Sequence, residues 1–213
     1  MKRLALTLAV LSLFLTATAA HAVEFGFDLA SQGLRSYTDS ANGWAKSRTF
    51  GGINMRGEVG LNANWRVGFG WHYAATDGSL RGYSTSLNRH DLTLDARYRY
   101  PVQNWFVPYA RAGVGVSKSH LTLSDWEATN WSPQLQTGLG IELLLPASVW
   151  NKEKEGLPAF GVFVETAWQM VFDQDATLTS TTSQQPGVQP AELKLGALSL
   201  NGLVVRFGAA VRF

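Results

Sequence analysis

Apolar and polar positions alternate along most of this chain, and its last eleven residues show the pattern most plainly. Leu203, Val205, Phe207, Ala209, Val211 and Phe213 are apolar at every second position. Val204, Arg206, Gly208, Ala210 and Arg212 fill the gaps, two of them charged. Side chains of a strand point alternately to two faces, so this spacing predicts a strand with one face in apolar surroundings and the other in polar ones. The same period recurs over 23–30, 53–61, 67–73, 91–100, 108–116, 135–143 and 160–170, which makes eight predicted strands. Forty residues fall on the apolar faces and none is charged, whereas thirteen of the thirty-four on the opposite faces are. One face of every strand is therefore expected to be kept from charge throughout.

Such alternation suits either a soluble sandwich, whose apolar faces meet each other, or a barrel in lipid, whose apolar face points outward. The connections decide between them. Those over 36–49, 76–86, 117–132 and 173–197 are long and polar, and are read as loops. Those at 62–64 and 101–104 are a few residues only. Alternating long loops and short turns are the habit of transmembrane barrels, and only the connection 146–158, with Lys152-Glu153-Lys154-Glu155, departs from it. Tryptophan agrees: Trp65, Trp105 and Trp150 lie at the short-turn ends, and Trp71, Trp131 and Trp168 near the other ends, as two membrane-interface girdles require. The expected fold is all-β, an eight-stranded antiparallel up-and-down transmembrane β-barrel.

The N-terminus changes the picture by placing the protein outside the cytoplasm. Lys2 and Arg3 precede an apolar run over 4–15 and the small-residue sequence Ala20-His21-Ala22, the layout of a secretory signal peptide. The expected division is a cleaved leader, 1–22, and one barrel domain, 23–213. No later segment is long and apolar enough for a membrane helix. Without Lys2 and Arg3 the remaining chain has sixteen basic and sixteen acidic residues, so the electrostatic footprint of a nucleic-acid binder is missing. The 213 residues include no Cys, hence no disulfide framework.

With its leader, its eight alternating segments, the run Pro108-Tyr109-Ala110-Arg111-Ala112-Gly113-Val114-Gly115 and the closing Arg212-Phe213, the chain resembles the small eight-stranded outer-membrane barrels of the OmpA, OmpX and OmpW kind. The resemblance implies residence in the cell outer membrane among its lipid and lipopolysaccharide, four loops outside, and assembly by the barrel-insertion machinery. It also implies that the terminal strand is an insertion signal carried by Phe207, Val211 and Phe213; Val211 stands where many relatives have a second aromatic.

Chemistry is then expected inside the barrel, which at eight strands is just wide enough for side chains to fill. The inward acids are Glu24, Asp28, Glu58, Asp91, Asp95, Glu142 and Glu165, and the inward bases Arg56, Arg97, Arg99, Arg111, Arg206 and Arg212. Near-equal numbers in a narrow space predict an ion-pair network. Arg206 is expected within it, and Arg212, at the rim, is expected to face water. Ten inward glycines either relieve crowding around the arginines or leave a water path. His72, His90 and His120 read as rim or loop histidines without a nucleophile–base motif, and the loop acids lack the dense spacing of a calcium loop. No catalytic residue, metal or cofactor is expected. The function expected is a non-enzymatic structural or surface-interaction role, through loops that contact an extracellular ligand of unknown identity. The alternative is a narrow channel or carrier for small or hydrophobic molecules, and a lipid-modifying enzyme comes third.

Overall fold

A computed structural model of the chain describes residues 24–37, 49–80, 83–145, 158–172, 174–181, 192–198 and 200–213. The expected leader and Trp150 lie outside these residues. Among the described residues there are ten strands: β1 (Phe25–Ser36), β2 (Thr49–Gly60), β3 (Trp65–Leu80), β4 (Tyr83–Arg99), β5 (Phe106–Leu123), β6 (Trp126–Leu145), β7 (Ala159–Val171), β8 (Gln174–Ser180), β9 (Glu192–Leu198) and β10 (Gly202–Arg212). Eight of them close a barrel in the order β5-β4-β3-β2-β1-β10-β7-β6, with β6 returning to β5, and all neighbours run antiparallel. First and last strands seal the seam, where the Phe25 and Phe213 amides donate to each other's carbonyls at 3.3 and 2.8 Å.

The predicted phases hold in every barrel strand. Inward positions are mostly buried and hold the buried charges, and the outward face is largely exposed and apolar, as Phe69, Leu94, Val114, Leu139 and Phe207 illustrate. The turn between β2 and β3 is built by Asn62, whose side-chain oxygen accepts from the amides of Asn64 and Trp65 at 2.9 and 2.8 Å. Such an Asx turn is why a four-residue connection, 61–64, suffices there.

Strand lengths differ from expectation. A membrane-spanning strand needs about 9–11 residues; β4, β5 and β6 have 17, 18 and 20. Most of the segments 76–86 and 117–132, expected as loops, are these strands continuing: Leu123 pairs with Trp126 across a two-residue turn in which Ser124 takes φ 49°. The segment expected as the longest loop holds a hairpin, β8 and β9, whose Ser180 and Thr179 pair with Trp126 and Glu127 of β6.

These continuations persist because their alternation persists with its chemistry reversed. Leu34, Phe50, Ala74, Leu87, Leu121 and Ala128 continue the inward phase above the charged lumen. With Leu178 of β8, Leu200 and Val204 they form one buried apolar cluster, against which Leu123 and Trp126 pack. Outward, over the same rows, stand Asp77, Ser86, Thr122 and Glu127, in cross-strand register. Apolar inside and polar outside is the arrangement of a protein in water, so this end of the barrel is a small water-facing fold carried on a membrane-facing one. Leu178→Ala should cost about 2–5 kcal/mol of local stability by emptying a fully buried position. The expected readout is faster proteolysis within β8–β9 while the barrel below stays folded.

Candidate functional site

Period two brings the predicted acids and bases together because it sends them all to one side of a closed sheet. Asp28 on β1 lies opposite Arg56 on β2, and Glu165 on β7 opposite Arg206 on β10. Arg97 and Arg111 face each other directly on β4 and β5, a repulsive pairing unless carboxylates come between them. They do. Asp28 accepts from Arg97 Nη2 at 2.7 Å and Arg56 Nη1 at 3.3 Å, and Arg212 Nη1 forms an ion pair with it at 2.6 Å. Glu58 pairs with Arg56, and with Arg97, Arg66 and Arg212 at 3.3–3.4 Å. Asp95 takes Arg56 through Nε at 3.0 Å and Nη2 at 2.5 Å, and Arg111 lies 3.7 Å away. Glu142 receives Arg212 at 2.6 Å and Arg99 at 3.5 Å.

A second group stands nearer the long-loop end. Glu165 bridges Arg111 at 2.6 Å and Arg206 at 2.5 Å, and the Tyr109 hydroxyl donates to it at 3.2 Å. The Tyr109 ring in turn lies 4.3 Å from the Arg97 guanidinium carbon, so it links the two groups. Arg89 donates to Asp91 at 2.8 Å, Ser117 at 2.9 Å, Gln134 at 3.2 Å and the Leu200 carbonyl at 3.4 Å, tying the lumen to the apolar cluster above it.

Most predicted site residues therefore meet. Glu24 is the outlier: its side chain is 53% exposed at the rim, and among the described residues its ion pair is with Arg66 alone. Arg212 is a correction. It was expected in water, yet it is 6% exposed, because Asp28 and Glu142 draw its guanidinium inward from the last position of β10. Arg66 and Arg89 are additions, both buried. Each sits two residues before a predicted strand's first inward position, so extending the period by one step would have found them.

The inward glycines are seats for these side chains. A Cβ on Gly68 would lie 2.6 Å from Arg56, one on Gly113 2.6 Å from Asp95, and one on Gly140 2.4 Å from the Tyr109 ring. Gly26 would meet Glu58 and Arg212 at 2.8 and 2.9 Å. Gly70 and Gly138 are equally close to Thr93 and Ala167, at 2.9 and 2.8 Å. The glycines thus relieve crowding; the space they leave is filled by neighbours.

His72 is not at a rim. It is buried in the lumen, paired with Asn54 and held 3.0 Å from the Thr93 hydroxyl. Asn, His and Thr in a chain have the composition of a nucleophile–base–orienter set. All three are buried beneath the apolar cluster, so the arrangement satisfies polar groups and offers a substrate no approach. Outside, Trp65, Trp105, Trp131 and Trp168 are exposed on the wall, and Trp71 is half-buried. Trp65 packs edge-on to Tyr98 and Trp168 stacks on Tyr37, their centroids 5.0 and 5.5 Å apart. Phe207, Val211 and Phe213 all lie on the outward face of β10 or just past its end.

The family model described as the outer membrane protein beta-barrel domain matches residues 6–151. The chain belongs to that outer-membrane barrel family. Among solved structures the barrel is similar to a major outer membrane protein from Thermus thermophilus, with TM-score 0.52 and 16% identity over 91% of this chain and 100% of that one. It is also similar to Neisserial surface protein A, with TM-score 0.50 and 11% identity over 89% and 95% of the two chains. No curated protein matches in sequence. At these identities the structural likeness speaks for the fold, an eight-stranded outer-membrane barrel with a hairpin added beside β6.

Within this barrel Glu165 is the carboxylate that Arg111 and Arg206 share. Glu165→Gln should destabilise the folded barrel by about 3–5 kcal/mol, because two buried cations lose their common partner. Urea unfolding in lipid vesicles measures it. Adding Arg206→Met should recover part of the loss, since the surplus buried charge leaves with the arginine.

Proposed function

We propose that this outer-membrane barrel is a non-conducting, non-enzymatic surface protein, with its long-loop end outside and its contacts made by the structure raised there. One observation carries the reading: the lumen is closed twice, by different chemistry. In the membrane zone eight buried arginines interleave with carboxylates, and above them Phe50, Leu121, Leu178 and Leu200 gather in one buried apolar cluster. A hydrated ion meets fixed charges held in mutual pairs, then an apolar constriction of the kind that keeps water out.

Three further points favour the reading. Strands β4, β5 and β6 overshoot the bilayer and present a folded edge, with β8–β9 beside it. The carrier reading drew on Gly68, Gly70, Gly138 and Gly140, whose inner surfaces are occupied. The lipid-modifying reading needs a reactive group near the outer rim, while the His72 set is enclosed. Insertion through the outward Phe207, Val211 and Phe213, and residence among outer-membrane lipid and lipopolysaccharide, belong to the same proposal. So does a ligand for the raised edge, whose identity is open.

Planar-bilayer recording tests it. Purified protein is expected to show no steady conductance, and steady single-channel steps from the wild-type chain would overturn the closed-lumen reading.

A further inference from the structure

Over the described barrel strands, the outer wall carries its Arg, Lys and His side chains on one side of the membrane only. Among the described barrel strands, the outward-facing Arg, Lys and His residues are Arg35 of β1, His90 of β4, and Lys118 and His120 of β5, all toward the long-loop end. Toward the short turns the wall is Phe25, Trp65, Tyr98, Leu143, Phe160 and their like, with no base among them.

Three of these four basic side chains form a compact patch. His90 lies opposite Lys118 across β4 and β5, and His120 follows Lys118 by two residues on the same face. Trp131 and Thr129 of β6 stand opposite Lys118 and His120. Lys118 Nζ is 5.5 Å from the centre of the Trp131 ring, and the His90 ring lies 5.0 and 6.0 Å from those of Tyr73 and Trp71. Aromatic faces thus hold both side chains against the wall, the Lys118 ammonium by a cation–π contact and the His90 ring by ring packing. His120 is fixed by the Thr129 hydroxyl at 3.0 Å, with Thr122 at 3.4 Å. Among the described residues no carboxylate lies within ion-pair distance of any of the three.

The height of the patch follows from the rows around it. One step toward the short turns stand Trp71, Leu92, Val116 and Pro133, and one step further Phe69, Leu94, Val114 and Leu135, all apolar. Two steps the other way stand Asp77 and Glu127. The patch is therefore where hydrocarbon gives way to water, the level of lipid headgroups. The Lys118 ammonium at that level attracts anionic headgroups, the imidazoles of His90 and His120 supply ring nitrogens for hydrogen bonds beside it, and the neighbouring Asn88, Thr129 and Tyr73 add neutral hydrogen-bonding groups suited to sugar hydroxyls.

We infer that His90, Lys118 and His120, backed by Trp131, form a docking site for the phosphate of a phosphorylated glycolipid in the outer leaflet, of the lipid A class. The inference rests on the proposed orientation, long loops outward, and deepens the expected partnership with lipopolysaccharide by assigning it residues.

Native mass spectrometry of the folded protein released from neutral detergent reads lipid retention directly. Wild type is expected to retain diphosphorylated lipid A in preference to the dephosphorylated form. Lys118→Gln should weaken retention about fivefold, and the triple variant His90→Gln, Lys118→Gln, His120→Gln more strongly, in keeping with the attraction exerted by each surface base. Heat-dependent electrophoretic mobility checks that each variant is folded. Equal retention of the two lipids, or undiminished retention by the triple variant, would overturn the site. Displacement of the lipid by millimolar inorganic phosphate would mark it as a free-anion site and overturn the lipid assignment.

Orientation is tested apart from this. The chain has no Cys, so Ser124→Cys, in the β5–β6 turn, is a single reporter for an impermeant maleimide on whole cells. Labelling is expected. Its absence would overturn the orientation, whereas labelling with unchanged lipid retention in the triple variant would overturn the docking site alone.

Discussion

Everything in this barrel depends on the requirement that charges turned into a narrow lumen find partners there. Eight strands enclose a space about the width of the side chains that line it, and buried ions left single are costly by several kcal/mol. The structure meets the requirement by sharing rather than by isolated pairs. Asp28 and Glu58 each serve several guanidiniums, and Glu165 serves two. The facing Arg97 and Arg111 are tolerable because Asp28 and Glu58 hold the first while Asp95 and Glu165 hold the second.

Sharing demands reach across the bore, and reach demands room at the opposite wall. That is the part played by glycine. Asp95 lies between Gly68 and Gly113, Arg111 opposite Gly138, and Glu165 opposite Gly140. A large charged side chain on one strand meets a bare backbone on the next, which leaves room for guanidiniums to reach carboxylates on strands that are not neighbours. Along these rows the glycine content serves packing.

The barrel and the membership of the lumen set were legible because period two encodes a face, and a face is all that barrel closure needs. What the period does not encode is height and partner. Arg212 looked like a rim residue by position; only the closed seam brings it beside Asp28 and Glu142. Arg66 and Arg89 were hidden at strand ends next to Asn-rich and Ser-rich stretches that read as turns. The β8–β9 hairpin was hidden for another reason: its Thr, Ser and Gln composition is that of a loop, and its strands are set by pairing with the β6 extension and by burial of Leu178.

The reversal of pattern along single strands follows from the same constraint. On β4 the inward residues run Arg97, Asp95, Asp91, Arg89 and then Leu87, while the outward ones run Leu94, Leu92 and then His90, Asn88. Both faces change character within about one pair of residues. A strand's outward face must match its surroundings, lipid below and water above. The inward face then follows: where water bathes the outside, polar groups need not be turned in, and apolar ones are better buried. The change from Arg89 to Leu87 inside and from Leu92 to His90 outside thus marks one boundary read from two sides. It locates the edge of the hydrocarbon on this barrel with no lipid present, and it is why a charged plug and an apolar cap occur stacked in a single lumen.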